Sequence, residues 1–222
     1  MKSAETLQRA VVDELAWDPA IDSSAIAVTT RDGMVLLNGW VSSYAEKLAA
    51  EKAVRRVRGV TAVIDDLEVQ ILPIKAHDDS KLAEAALDAL AWNVNVPLNA
   101  VRVTVDHGWI KLEGTVPWFF QRSAAENAIR FLKGVKGVTN LVVVHQKVNP
   151  LDIEERIEAA FKRHAVVDAE HVNVSVEHGR VTLRGKVSSW AERESAEEVA
   201  WSAPGVFSVT NAITVEVPAH IW

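Results

Sequence analysis

No cysteine occurs in this chain of 222 residues, which excludes disulfide bonds, thiolate metal sites and a cysteine nucleophile. Long apolar runs are also missing, since no segment approaches the roughly 18 consecutive apolar residues that a membrane-spanning helix requires. Residues 1–7 do not supply the uninterrupted apolar core of a signal peptide. These absences predict a cytoplasmic protein, with peripheral attachment to the inner membrane as the alternative.

The chain has no excess of positive charge either. It carries 24 Lys and Arg against 30 Asp and Glu, a net charge of −6, which argues against unspecific binding to nucleic acid or anionic membranes. We therefore expect no nucleic-acid partner. Residues 74–147 hold nine basic and seven acidic side chains, whereas residues 1–73 hold eight and eleven, and residues 148–222 hold seven and twelve. The middle third alone is basic.

One pattern recurs three times along the chain. Residues 32–41, 107–116 and 178–187 are related segments, each with a turn glycine followed by a second glycine. Aligning the second glycines also aligns, without gaps, apolar positions upstream and glycines downstream: Leu7, Leu82 and Ile153, then Gly59, Gly134 and Gly205. We expect three domains, at 1–72 (repeat 1), 78–147 (repeat 2) and 148–218 (repeat 3), with a linker at 73–77 and a tail at 219–222.

Each repeat is predicted to read helix, strand, strand, helix, strand. Leu7, Val11 and Leu15 form the apolar stripe of the first helix in repeat 1. Asp-Gly or His-Gly between two alternating segments indicates a tight hairpin, and the second glycine is expected to end the second strand. The second helix starts with a capping box, Ser43 with Glu46 or Ser189 with Glu192. It is predicted to turn mostly small residues inward: Ala49, Ala53 and Val57; Ala124, Ala128 and Leu132; Ser195, Val199 and Ala203.

The fold class that follows is α+β. Both helices are expected on one face of a three-stranded sheet, and the strand-helix-strand crossover makes that sheet mixed, with one parallel pair. The sequence leaves the strand order open. Units of about 70 residues bury only about 60% of their unfolded surface and are marginally stable alone, so packing between repeats is expected.

The paired glycines, the helix start at residues 41–46 and the closing segments 134–140 and 205–211 resemble the BON family, named for bacterial osmotically inducible OsmY-type proteins and nodulation proteins. The resemblance covers three tandem units. It implies a non-enzymatic module connected with stress response, envelope maintenance, phospholipid interaction or protein contacts. Several family members are exported, whereas this sequence shows no signal, so a periplasmic role is not expected.

A first candidate site lies where repeat 2 departs from the other repeats. Pro117 and Trp118 replace the two serines that precede the second helix in repeats 1 and 3, which removes the hydroxyl cap. Trp118 and Phe120, with cationic side chains nearby, suit insertion at an anionic lipid headgroup surface or binding to a partner; the cations are Arg122, Lys133 and Lys136. The alternative is that Trp118 packs on a neighbouring repeat. Phe119 aligns with Tyr44 and Trp190 and is interpreted as a structural aromatic, whereas Phe120 aligns with alanines on a face expected to point inward.

The outer sheet face is a second candidate. Alternation places Met34, Leu36 and Trp40 there in repeat 1, and Trp109 with Lys111 in repeat 2. Repeat 3 has a basic stripe of Arg180, Arg184 and Lys186, which acidic neighbours such as Glu177 and Glu216 are expected to neutralise. The apolar outer face of repeat 1 predicts that another repeat, another molecule or a partner covers it.

No metal, cofactor or catalytic site is predicted. His164, His171 and His178 recur every seven residues but run from loop through strand to turn, so they do not share a helical face. Ser42, Ser43, Ser188 and Ser189 occupy capping positions, and no phosphate loop or nucleophile elbow occurs. We expect a non-enzymatic protein that binds a protein partner or itself. Weak, salt-sensitive binding to anionic phospholipid through repeat 2 is the alternative.

Overall fold

The computed structural model describes residues 4–71, 78–145, 153–163 and 171–216. Within these ranges each repeat contains two α-helices and three strands in the predicted order, and repeat 1 adds a short 3-10 helix at Ser23–Ala25. In repeat 1 these are α1 (Ala4–Trp17), β1 (Ile26–Arg31), β2 (Met34–Val41), α2 (Tyr44–Arg56) and β3 (Ala62–Val69). In repeat 2 they are α3 (Asp79–Trp92), β4 (Val101–Asp106), β5 (Trp109–Val116), α4 (Phe119–Ile129) and β6 (Gly137–Val144). In repeat 3 they are α5 (Ile153–Arg163), β7 (Val172–Glu177), β8 (Arg180–Val187), α6 (Trp190–Ser202) and β9 (Ser208–Val215).

The contacts divide the chain into two compact units. The first unit comprises residues 1–114 and 123–141, and the second comprises residues 115–122 and 142–222. The first therefore holds repeat 1 with most of repeat 2. The second holds repeat 3 with the segment that begins α4.

Each sheet is three-stranded and mixed, as predicted. The second strand of the repeat is central, because the orders are β1-β2-β3, β4-β5-β6 and β7-β8-β9. β1 pairs with β2 antiparallel, and β2 pairs with β3 parallel across the α2 crossover. In repeat 1 both helices contribute to the same hydrophobic core, so they cover one face and leave the other open.

The predicted hairpin turns are confirmed. Asp32, His107 and His178 adopt left-handed backbone, with φ of 50°, 51° and 49°. A glycine with positive φ follows each of them, which is the pattern of a primed two-residue turn between right-twisted strands. The position of His107 and His178 in their repeats is thus explained by the turn.

The prediction that the second glycine ends the strand is wrong. β2 continues past Gly39 to Val41, and Gly39 pairs with Ile26 on one side and Leu67 on the other. A Cβ at Gly39 would lie 2.0 Å from the Ala25 carbonyl oxygen, and φ there is +132°. The glycine is required inside the strand because the neighbouring backbone approaches too closely for any side chain.

The first helix of each repeat buries the predicted stripe. Leu7, Val11 and Leu15 are buried in α1, and the equivalent residues are buried in α3 and α5: Leu82, Ala86 and Leu90; Ile153, Ile157 and Phe161. Burial of each of the Leu, Val, Ile and Phe side chains among them stabilises the fold by about 1.5–3 kcal/mol.

The predicted inward face of the second helix is confirmed in part. In α2, Ala53 is buried and Ala49 and Val57 are partly buried against the same core, whereas Glu46, Ala50 and Val54 are buried and were not predicted. In repeat 3, Val199 and Ala203 are buried as predicted. In α4 the buried residues are Ala125 and Ile129, and the predicted Ala124 and Ala128 are only partly buried. A strict four-residue spacing drifts about 40° per step from a 3.6-residue helix, so the predicted stripe lies beside the centre of the buried face.

Candidate interaction surfaces

The outer face of the repeat 1 sheet is apolar and open. Alternation along β2 buries Val35 and exposes Met34 and Trp40 to 42% and 46%, with Leu36 partly exposed between them. Ile64 pairs with Leu36 across β2 and β3 and is 52% exposed. Sequence reasoning missed Ile64 because it considered the outward positions of β2 alone. The four side chains, Met34, Leu36, Trp40 and Ile64, are called the repeat 1 face below.

The outer face of repeat 2 centres on Trp109. This side chain is exposed, and its ring lies over Gly137 so closely that a Cβ there would be 2.3 Å from Cζ3. Lys111 forms a 3.2 Å ion pair with Glu113 on the same strand. Leu141 of β6 is also exposed, and the sequence analysis had not named it.

The outer face of repeat 3 is charged, as predicted. Lys186 forms a 2.8 Å ion pair with Glu216, which confirms the expected neutralisation at that position. Arg180 is opposite Glu177 in the register of β7 and β8, and its guanidinium lies 5.8 Å from the centre of the Phe207 ring. This face therefore differs in chemistry from the repeat 1 face.

The residues of the predicted lipid site belong to different compact units. Trp118, Phe120 and Arg122 lie in the second unit, whereas Lys133 and Lys136 lie in the first. Trp118 and Phe120 are 38% and 55% exposed, so the expectation that Phe120 points inward is wrong. Phe120 lies on the outside of the first turn of α4, where the other repeats have alanine.

The start of α4 keeps half of the capping arrangement. In repeat 1 the Ser43 hydroxyl accepts the Glu46 N–H at 3.2 Å. Trp118 has no hydroxyl to do the same, but its own N–H donates to the Gln121 side-chain oxygen at 3.1 Å. The reciprocal bond of the capping box thus survives in repeat 2.

Tyr44, at the first residue of α2, reaches repeat 2 within the first unit. Burial raises the pKa of its phenol, the Glu126 carboxylate adds to the increase, and a backbone hydrogen bond with Val138 opposes it. Tyr44 lines a cleft of about 300 Å³ together with residues 130–135, the segment that follows α4. Gln70 and Lys133 line the same cleft, one from each repeat.

Phe119, at the first residue of α4, makes the corresponding contact in the second unit. Its ring stacks on Trp201 with centroids 4.2 Å apart and planes 7° from parallel. Arg122 lies 5.9 Å from the Phe119 ring centre. The interpretation of Phe119 as a structural aromatic is confirmed, and its partner, buried Trp201 of α6, is what the sequence did not reveal.

A small acidic cluster stands beside the repeat 2 hairpin. Asp79, Asp106 and His107 place ligand-type atoms within 4.8 Å of one another. The Asp79 carboxylate, however, accepts the backbone N–H groups of His107 and Gly108 at 2.7 and 3.0 Å. Its oxygens therefore fix the turn. Of the three histidines considered for zinc, His164 lies outside the described residues.

Two acidic side chains, Glu46 and Glu192, are buried within the described ranges. Glu46 accepts the Asp22 N–H at 2.7 Å and both the N–H and the hydroxyl of Ser42 at 2.8 Å. Glu192 accepts the Ser188 N–H at 2.9 Å. Carboxylates held by several donors in this way join loops to helix starts. Ser43 and Ser189 are helix caps in the structure, as predicted.

The family model of the BON domain matches the chain three times, over residues 3–71, 78–146 and 151–217. The chain belongs to the BON domain family. Osmotically-inducible protein Y of Escherichia coli (strain K12) is 30% identical to it over 148 residues, which cover 60% of this chain and 71% of that protein. The tandem BON repeats account for the recurrent glycines, caps and core positions.

Two solved structures are similar to this BON protein only at a low level. CdsD, a structural protein of the type III secretion system of Chlamydia trachomatis, is 16% identical with a TM-score of 0.25, over 96% of this chain and 94% of that one. The PrgH periplasmic domain is 13% identical with a TM-score of 0.21, over 92% and 99%. At TM-scores this low, neither similarity indicates a function for this chain. Across the described part of the BON repeats, no helix has the length and apolar character needed to cross a bilayer.

Proposed function

We propose that this BON protein is a non-enzymatic scaffold, associated with osmotic stress, that binds a protein partner or further copies of itself. The observation that supports the proposal is the repeat 1 face, where four apolar side chains lie open on one sheet surface. Contiguous exposed apolar surface of this kind is typical of interaction sites. The osmotic connection is supported by the E. coli relative, whose name describes osmotic induction.

Photo-crosslinking in cells tests this proposal. A photoreactive phenylalanine derivative replaces Trp40 of the repeat 1 face, and a matched strain carries it in place of Trp92, which is 89% exposed on α3. We expect discrete protein adducts at position 40, more abundant after a salt upshift, and their loss when Ile64→Lys is added. Equal adduct patterns at positions 40 and 92 would refute the proposal.

A second candidate function is attachment to anionic phospholipid through the start of α4. Trp118 and Phe120 are both exposed beside Arg122, and amphipathic or apolar rings next to a cation suit the headgroup region. We expect weak co-sedimentation with anionic vesicles that decreases as salt is added, because phosphate contacts are screened. Trp118→Ser should abolish it and Trp92→Ser should not. Binding that is equal on neutral vesicles would exclude this candidate.

A further inference from the structure

The repeat 1 face has acidic side chains along one edge. Asp66 and Glu68 follow Ile64 at the outward positions of β3, and both are exposed. The Asp66 carboxylate accepts a 3.4 Å hydrogen bond from the Asn38 side chain. Neither acidic side chain forms an ion pair with any side chain that the structure describes. A partner that covers the apolar residues would therefore meet negative charge beside them.

The outer face of the repeat 2 sheet combines apolar side chains with cations. Trp109 and Leu141 are exposed there, and Lys111 lies on the central strand in its ion pair with Glu113. Arg102 of β4 is exposed and is opposite Glu113 in the register of β4 and β5, and it forms no ion pair within the described ranges. The four side chains, Arg102, Trp109, Lys111 and Leu141, are called the repeat 2 face below.

Both faces are open in a single copy of the chain. They belong to the same compact unit, and their apolar side chains stay exposed, so the two faces do not cover each other. A three-stranded sheet with eight-residue strands measures about 14 by 26 Å, which is small for a specific interface. Contact between the two faces would therefore join different copies, and it would be weak and dependent on concentration.

The strand orders determine how two such faces meet. Packed sheets keep their strands within about 30° of each other. Repeats 1 and 2 have the same strand order, so turning one sheet over onto the other, with both hairpins at the same end, puts β4 opposite β3. The central strands β2 and β5 then face each other. Met34 and Trp109, each the first residue after its hairpin turn, lie in contact.

The charged positions coincide in this arrangement. Asp66 is the β3 partner of Asn38, and Arg102 is the β4 partner of Glu113, which is the residue of repeat 2 equivalent to Asn38. Asp66 and Arg102 are thus at the same distance from their hairpins, on strands that face each other. The superposition that brings the apolar side chains together also sets a carboxylate opposite a guanidinium.

Repeat 2 alone supplies a cation at this position. The residue equivalent to Arg102 is Ala27 in repeat 1 and Asn173 in repeat 3. The strands of repeat 3, all of them within the described part of the chain, also expose no large apolar side chain on their outer face. Among the surfaces of this protein, the repeat 2 face is therefore the one that matches the repeat 1 face in both apolar character and charge.

We propose that the repeat 1 face of one copy binds the repeat 2 face of a second copy, with Met34 against Trp109 and Asp66 against Arg102. The proposal rests on the proposed function, for which it names the partner. Because the two faces are different surfaces, the contact is heterologous and can extend beyond a dimer.

Sedimentation velocity of the full chain over a range of concentrations tests the proposal. The wild type should form dimers and longer species as its concentration rises. Asp66→Arg and Arg102→Asp should each weaken association about three- to tenfold, because like charges replace an exposed pair, and the double variant should restore it. Arg184→Asp makes the same change of charge at the matching level of the repeat 3 sheet and should have no effect.

The lack of cysteine in the chain allows a direct test of the contact. Asp66→Cys and Arg102→Cys are placed in separate chains, which are mixed and treated with a short bismaleimide. We expect covalent dimers in which mass spectrometry finds position 66 joined to position 102. Asp66→Cys mixed with Asn173→Cys is the matched control and should give no such product. Circular dichroism establishes that every variant is folded.

Three results would overturn the proposal: a wild type that is monomeric at every concentration, association that Arg102→Asp leaves unchanged, or cross-linking of position 66 to position 173 as efficient as to position 102. The first result, found together with specific adducts at Trp40 in cells, would refute the self-association and leave the proposed function standing. Equal adducts at positions 40 and 92 would instead refute the proposed function itself.

Discussion

Tyr44 is the single tyrosine of the chain, and it lies between two repeats of the first unit. Its phenol is partly buried, with Glu126 nearby, and both conditions favour the neutral form. The aromatic character of the position is visible in the sequence, since Phe119 and Trp190 align with it. What the residue contacts is not visible, because its hydrogen-bond partner, the backbone of Val138, lies in another repeat.

We expect Tyr44 to titrate with a pKa above the ordinary value of about 10. Absorbance of the phenolate at 295 nm measures this residue alone, after subtraction of the spectrum of a Tyr44→Phe variant. The folded pKa is raised, so the contact stabilises the protein fully below about pH 10 and that stability is lost as the pH rises through the folded pKa. The urea-unfolded chain should titrate normally. An identical midpoint in both states would contradict the burial of Tyr44.

At the scale of elements, the helices and hairpins follow from local pattern, whereas the buried face of the second helix follows from it only in part. The stripe of Leu7, Val11 and Leu15 is unambiguous because these are the large apolar residues of α1. In α2 the residues are small or charged, and the buried position of Glu46 results from hydrogen bonds to loops rather than from apolar character. A pattern of hydrophobicity does not reveal a carboxylate on the inward face of a helix.

Glu46→Ala should destabilise the protein by about 3 kcal/mol. The substitution removes two partly buried hydrogen bonds from backbone N–H groups, those of Asp22 and Ser42, to a carboxylate, and bonds to a charged group contribute about 1.5–3 kcal/mol each. Glu51→Ala is the matched control on the same helix, because it removes a part-exposed pair with Arg55 and should cost less than about 1 kcal/mol. Urea denaturation followed by circular dichroism measures both. Equal losses would mean that Glu46 acts merely as a surface residue.

At the scale of the whole molecule, the number of BON repeats and their mixed sheets follow from the sequence. The strand order does not follow from the sequence, because no sequence pattern decides whether β3 pairs with β1 or with β2. The structure puts the hairpin strand β2 in the centre, where it pairs on both edges. The surfaces by which repeats meet were equally hidden, since they depend on side chains that look like ordinary helix-start and helix-end residues.

Phe119→Ala should destabilise the second unit by about 2 kcal/mol. The ring is partly buried and stacks on Trp201, so its removal loses both apolar burial and the stacking contact. Phe120→Ala is the neighbouring control, and its exposed side chain should contribute less than about 0.5 kcal/mol. Protection of the α6 amides against hydrogen exchange measures this loss of stability at the site of the stack. Similar protection in the two variants would exclude a stabilising role for the stack.

The use of one aromatic position to reach the next repeat has an evolutionary consequence. When each unit carries both the ring and the surface that receives a ring, tandem duplication of the coding segment supplies a matched pair at once. The copy number of BON units can then grow or shrink without the invention of a new contact. Divergence at the two positions, as from Tyr44 with Arg130 to Phe119 with Trp201, afterwards makes each junction individual.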